Sequence, residues 1–161
     1  MENYYFDLDG VLRDLSGNFL EQSPEVWHWH KDGKDIWDFV NADIEVLANS
    51  KPTIYYPLVA NLPHINILTC QPNNWRPPTM EWICRHFTNN VSVTFVEKPE
   101  EKLAILEKEN AFIFEDYPQF TDYSRVYLID YPYNGEVTGC IGRIKTVNDM
   151  AYALGLKGGC L

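Results

Sequence analysis

The sequence predicts an α/β fold, a doubly wound and mainly parallel sheet of about five strands with a small helical cap inserted after the first. Three observations lead there. Five short apolar runs are continuous rather than alternating, the pattern of strands covered on both faces. Each run stops at a polar or acidic residue. Helical spacing fills most of the intervals between them, which is the βαβ rhythm.

The runs are Tyr4–Phe6, Ile65–Leu68, Val91–Val96, Ala111–Phe114 and Val126–Ile129, ending on Asp7, Thr69, Glu97, Glu115 and Asp130. After the first run, residues 14–53 show no buried strand pattern and carry Trp27, Trp29 and Trp37 among many charges. A helix from about Asp35 to Asn49 puts Ile36, Phe39, Val40, Ile44 and Leu47 roughly on one face. A weaker helix covers Tyr55–Asn61. Thr79–Phe87 follows a Pro-Pro pair, a suitable helix start, with Met80, Ile83, Cys84 and Phe87 at helical spacing. Pro99–Asn110 opens with Pro and two Glu, which suits a first turn, and Leu103, Ile105 and Leu106 can pack. Thr146–Leu154 has Thr146 as N-cap and Asp149 three residues on. The organisation expected is a Rossmann-like core of residues 1–13 and 54–161, with residues 14–53 as a cap over the sheet's C-terminal edge.

The 161 residues suit one domain. Apolar content of 45% excludes a disordered tail. A net charge of −10, from 13 Lys+Arg against 23 Asp+Glu, argues against a nonspecific nucleic-acid binder. It still permits a local basic pocket for one phosphate. No apolar run approaches the roughly 20 residues of a membrane helix. The start, MENYYFDLDG, has no basic n-region, so a cytoplasmic protein is expected. Cys70, Cys84, Cys140 and Cys160 form no C-x-x-C pair and no zinc spacing, and are expected to be reduced thiols. Gly139, Gly142, Gly158 and Gly159 form neither a dinucleotide fingerprint nor a Walker loop.

The chemistry concentrates in Asp7-Leu8-Asp9-Gly10-Val11, where two carboxylates two residues apart follow an apolar strand. Close acids repel, and a divalent cation with oxygen ligands would neutralise them. One acid can then attack phosphorus while the other moves a proton. Gly10 permits a tight turn with its amide facing a ligand. An EF-hand loop fails on spacing, because Gly sits at loop position 4 and Asn18 at position 12. Alone, the motif could be an acidic turn that merely ends a strand. It is joined by Thr69, by Lys98 and Lys102 around a helix start, and by Glu115-Asp116 at another strand end. All would meet at one edge of a parallel sheet, where such folds bind ligands.

In that order, Asp7-Leu8-Asp9-Gly10-Val11, Thr69, the lysine and Glu115-Asp116 resemble the four motifs of the haloacid dehalogenase-like phosphohydrolases, over about residues 3–135. Within them the chain is most similar to the 5′(3′)-deoxyribonucleotidase group and its bacterial and phage relatives. Glu115-Asp116-Tyr117-Pro118 and the Pro132-Tyr133-Asn134 segment suggest that group. The resemblance implies a phosphomonoesterase acting through an aspartyl-phosphate. Asp7 would be the nucleophile, and Asp9 the general acid and then base. Mg²⁺ would be held by the Asp7 carboxylate, the Asp9 carbonyl and Asp116, with Glu115 supporting from behind. Asp9, Gly10, Thr69 and a lysine would bind phosphate. Lys102, 14 residues before Asp116, fits the group better than Lys98, which directly precedes Pro99. The substrate implied is a small phosphorylated molecule, a nucleoside monophosphate first, with no membrane and no nucleic-acid partner.

Other residues carry two readings. Trp27, Trp29 and Trp37 either stack on a base or fill the cap. Trp75 and Arg76 follow Thr69 closely; Arg76 is either a phosphate or base contact or a solvated loop residue. His28 and His30 have no further ligands at metal spacing, so a packed aromatic segment is expected. The cap, about 40 residues, is smaller than that of the deoxyribonucleotidases. A more open site is therefore an alternative, admitting another phosphate ester or a nucleic-acid 3′-phosphate end. A catalytically silent interaction protein on the same fold is the alternative from another class.

Overall fold

A computed structural model describes residues 3–156, so Cys160, Gly158 and Gly159 lie outside the described residues. The chain runs β1 (Asn3–Phe6), β2 (Arg13–Asp14), α1 (Ile36–Ala42), α2 (Val46–Asn49), β3 (Lys51–Pro52) and α3 (Tyr56–Ala60). It continues through β4 (His64–Cys70), α4 (Arg76–His86), β5 (Asn90–Val96), α5 (Pro99–Lys108) and β6 (Ala111–Glu115). β7 (Val126–Ile129), β8 (Gly142–Ile144) and α6 (Val147–Ala153) complete it. Six strands form one sheet in the order β5-β4-β1-β6-β7-β8, and every pairing is parallel. All five expected strands are present, and β8 is a sixth. The strand order reverses beside β1, which places the ligand-binding crevice of such sheets at the C-terminal ends of β1 and its neighbours.

Side chains alternate across the sheet and build two cores. One face gathers Phe6, Ile67, Phe114 and Ile129 with Val59 of α3, Trp82 and Ile83 of α4, and Met150 of α6. The other gathers Tyr5, Leu68, Ile113 and Leu128 with Leu106 of α5 and the loop residues Phe120 and Tyr123. The strands that carry the site are locked by a ring stack. Phe6 pairs with Phe114 in register, and Phe114 with Tyr127. Their rings stack at 5.2 and 5.0 Å. Aromatic pairs of this kind add to simple area burial.

The helices differ from expectation mainly at their ends. α4 begins at Arg76 rather than after the Pro-Pro pair, because proline is tolerated throughout a first turn. Thr146 and Asp149 form the expected reciprocal cap of α6. The single helix expected over 35–49 is two, since Asp43 leaves helical backbone at φ −144° and ψ 86°. Asp35 caps α1 through the Asp38 amide. β2 and β3 pair antiparallel and form a neck that joins Arg13–Asp14 to Lys51–Pro52. Beyond the neck, Leu15, Val40 and Leu47 make a small separate core that Trp75 joins from the far side. Among the described residues no helix is long and apolar enough to cross a membrane.

Candidate active site

β1 ends as its ladder closes, with the Asp7 amide donating to the Phe114 carbonyl at 2.9 Å. The chain then turns sharply, the amides of Val11, Leu12 and Arg13 all donating to the Leu8 carbonyl. Gly10 sits at φ +85°, and a Cβ there would lie 2.1 Å from Asp116 Oδ2. Both the backbone and the close approach therefore require glycine. Its amide donates to the Arg13 carbonyl at 2.9 Å. The expectation that this amide faces a ligand is corrected: the turn itself consumes it.

The turn brings Asp7 against the end of β6. Asp7, Glu115 and Asp116 are all buried, and one carboxylate oxygen from each lies within 4.8 Å of the others. Lys102, from the first turns of α5, reaches into the group and is 3% exposed. Its Nζ donates to Asp7 Oδ1 and to Glu115 Oε2, both at 2.6 Å. Glu115 Oε1 accepts the amides of Asp116 and Tyr117, so both of its oxygens are committed. Among the described residues no hydrogen bond is made to Asp7 Oδ2 or Asp116 Oδ1, so both carboxylates keep ligand capacity. Of the two candidate lysines the structure brings in only Lys102. Lys98 is exposed at the N-cap of α5, and its side chain makes no hydrogen bond or ion pair among the described residues.

Three buried carboxylates against one lysine leave two negative charges uncompensated. The titration behaviour follows from this. Burial first, and the Glu115 charge second, push the Asp7 carboxyl from 3.8 up to about 7, against the opposing pull of Lys102. Asp116 is raised well above the ordinary carboxylate range by burial, then by Glu115 and Asp7. For Lys102 burial favours the neutral amine, but Asp7 and Glu115 outweigh it and hold the ammonium form. A divalent cation would balance the deficit, and an all-oxygen donor set suits Mg²⁺ rather than zinc. Asp7 and Asp116 are the side chains that fit it, with Glu115 occupied behind them.

This predicts a pH dependence. In metal-free protein the folded state holds a proton on Asp7 that the unfolded chain loses above pH 3.8. Folded protein thus binds more protons between about pH 4 and 7, and stability falls as pH rises through that window. The thermal midpoint in chelator should drop across this range relative to the midpoint in saturating Mg²⁺. Parallel curves would contradict the charge deficit.

Asp9 points from the same turn but belongs to a different network. Arg13, entirely buried, grips it with Nε to Oδ1 at 2.7 Å and Nη2 to Oδ2 at 2.9 Å. Gln71 Nε2 donates to Oδ2 at 2.8 Å. Neither Arg13 nor Gln71 belongs to the motifs visible in the sequence. The one sequence signal for Arg13 was an opposite charge four residues after Asp9.

The segment after β7 supports Asp116. Tyr133 donates its phenol proton to Asp116 Oδ2 at 2.5 Å. Burial and the Asp116 charge push the Tyr133 phenol far up, so it stays a donor. Asn134 Nδ2 donates to the carbonyls of Asp116 and Ile129 at 3.0 and 2.8 Å. The Tyr131 hydroxyl donates to the Gly10 carbonyl at 2.8 Å. The 131–134 stretch thus holds both Asp116, just past β6, and the turn after β1.

Two adjoining clefts meet at Asp9 and Asp116. A cavity of about 600 Å³ is bordered by Asp7, Asp9, Thr69, Lys102, Glu115 and Asp116, all six side chains expected at the site. A second cleft of about 730 Å³ extends from Asp9, Gly10 and Asp116 beneath the cap. Trp27 and Trp37 border both. Trp27 packs on Tyr117 and Tyr133, at 5.4 and 5.3 Å between rings. Trp37 is 48% exposed and lies 4.5 Å from the Trp75 ring. Trp29 is buried against Phe39 and touches only the larger cleft. Arg76 borders neither. It lies over the Phe95 ring at 5.3 Å, which corrects its expected place in the pocket. His28 and His30 join no metal-binding group among the described residues.

No family model, no curated protein and no solved structure matches this chain.

Proposed function

We propose that the protein is a Mg²⁺-dependent phosphomonoesterase that forms an aspartyl-phosphate on Asp7, with a nucleoside monophosphate as its substrate. One observation carries the reading: a buried cluster of Asp7, Asp116, Glu115 and Lys102, two positive charges short, at the sheet edge and open to a cleft that Thr69 also borders. Phosphoryl transfer asks mainly for positioning and charge neutralisation, and this cluster offers both once a divalent ion is bound. The resemblance to the haloacid dehalogenase-like phosphohydrolases assigns the same residues.

Bound Mg²⁺ would neutralise the approach of an anionic phosphate to an anionic nucleophile. One oxygen of the Asp7 carboxylate attacks phosphorus in line while the other would face the cation and Lys102. A bond forms from Asp7 to phosphorus as the bond to the ester oxygen breaks. Asp9, at the junction of both clefts, takes up a solvent proton on Oδ2 as substrate displaces Gln71 there, and gives it to the departing oxygen. It then takes one from a water that attacks the phosphorus, and the bond from Asp7 breaks to release phosphate. Thr69 and Lys102 hold phosphoryl oxygens throughout.

Cleft volumes of about 600 and 730 Å³ suit a small molecule. Lys102 is the only lysine or arginine among the described residues bordering the smaller cleft. A row of backbone phosphates would therefore find few cations, which favours a free monoester over a nucleic-acid end. The test is phosphate release from a panel of p-nitrophenyl phosphate, nucleoside monophosphates, sugar phosphates and 3′-phosphorylated oligonucleotides, with Mg²⁺ and with chelator. Mg²⁺-dependent turnover, fastest on nucleoside monophosphates, is expected. Uniformly slow nucleotides against a fast sugar phosphate would remove the substrate assignment. No turnover on any member would leave the silent interaction protein.

A further inference from the structure

We propose that Arg13 is a positioning residue for Asp9, and that it ties the orientation of that carboxylate to the seating of the cap. The inference rests on the phosphomonoesterase reading and adds a residue outside its motifs.

A charged side chain with no exposed surface must spend its donors on defined partners, and Arg13 does so in three directions. Nε and Nη2 take the two oxygens of Asp9 as a planar fork. Nη1 donates to the Leu47 carbonyl of α2 at 2.8 Å and to Thr79 Oγ1 of α4 at 3.1 Å. The guanidinium also lies over the Trp82 ring at 5.8 Å. Trp82 is itself pinned by its Nε1 to the Ser50 carbonyl at 2.7 Å. One rigid group thus spans the turn after β1, the cap helix α2 and the core helix α4.

The consequence for Asp9 is geometric. An acid at the tip of a turn has two free torsions, and a misplacement of about 1 Å can cost on the order of 10²-fold in rate. The fork fixes the carboxylate plane, and Gln71 Nε2 fixes it from the cleft side. Lysine could supply the charge but not the fork. Because Nη1 is anchored to α2, a shift of the cap pulls on the same guanidinium that aims Asp9.

The test uses Thr79, which touches Arg13 and has no contact with the clefts. Thr79→Val keeps the shape and removes the acceptor; Thr79→Ser keeps the hydroxyl. With p-nitrophenyl phosphate and Mg²⁺, Thr79→Val should lower kcat about tenfold while KM and the Mg²⁺ half-saturation stay within about twofold. Thr79→Ser should restore kcat to within about twofold of wild type, and Arg13→Lys should lower it by about 10². A role confined to holding the fold would instead move KM, metal half-saturation and kcat together, and that result overturns the inference. So does a Thr79→Val variant with wild-type kcat, whether or not Arg13→Lys folds. Absence of Mg²⁺-dependent turnover in the wild type overturns the phosphomonoesterase reading itself, and this inference with it.

Discussion

Asp7→Asn should abolish Mg²⁺-dependent phosphate release, by about four orders of magnitude or more, because an amide cannot serve as the attacking group. The same change should not unfold the protein. Asn has the shape of Asp, and its oxygen can still accept from Lys102 Nζ as Asp7 Oδ1 does. It also removes one of the two uncompensated buried charges. In chelator the variant should therefore melt above the wild type, and the gain should follow the wild-type titration. At the acid end of the window Asp7 is protonated in the folded protein, so the two chains differ little. As pH rises towards about 7 the unfolded wild-type chain gives up the proton that the folded carboxyl must keep, and the gap widens until that carboxyl ionises as well. Each pH unit of that window corresponds to about 1.4 kcal/mol for one proton. For a chain of this size that is on the order of 3–6 °C in the thermal midpoint. The measurements are kcat and differential scanning fluorimetry on both proteins from pH 4 to 8. Retained turnover would end the nucleophile assignment. An Asn variant that melts below wild type at pH 8 without metal would end the charge argument.

The parts of this site legible in the sequence were those fixed by strand ends. A buried parallel strand writes a continuous apolar run, and its first polar residue marks the sheet edge. Asp7, Thr69 and Glu115 could be placed that way before any tertiary contact was known. Lys102 was separable from Lys98 only through the family resemblance, since sequence does not tell a buried lysine from a solvated one. Its burial depends on α5 packing beside β6 with Asp7 across the gap. What could not be read has a common cause. β8 is three residues at a sheet edge, with only Ile144 buried, so it leaves no apolar run. The neck of β2 and β3 is two residues a strand, too short for any periodicity. Tyr133, and Arg13 in its bonds to Leu47 and Thr79, act across 17 to 66 residues of chain, which leaves no local pattern. Arg76 was placed by nearness in sequence to Thr69. The start of α4 at Arg76 turns its side chain onto Phe95 instead.

The lysine is where fold and chemistry depend on one contact, so its removal should give the largest loss of stability. Lys102→Met keeps most of the aliphatic volume and deletes the only cation bonded to Asp7 and Glu115 among the described residues. Three buried carboxylates would then face one another unpaired. Breaking a buried ion pair by removing one partner costs about 3–5 kcal/mol. That is a fall of roughly 6–20 °C in midpoint for a domain of this size. Part of the cost should be relieved as pH falls below about 7, where the folded Asp7 carboxyl takes up a proton, and part by Mg²⁺. With the metal bound, the residual defect is kinetic: kcat should fall at least about 10³-fold, because no ammonium remains to meet the phosphoryl oxygens or to orient Asp7. Lys98→Ala removes an exposed side chain with no partner, so it should change stability by less than about 0.5 kcal/mol and leave kcat alone. Melting curves and kcat for the two variants side by side decide the matter. Equal losses would mean that the buried ammonium is not the one that serves the phosphate. A larger loss at Lys98 would require α5 to be turned, and with it the whole acidic cluster to be rebuilt.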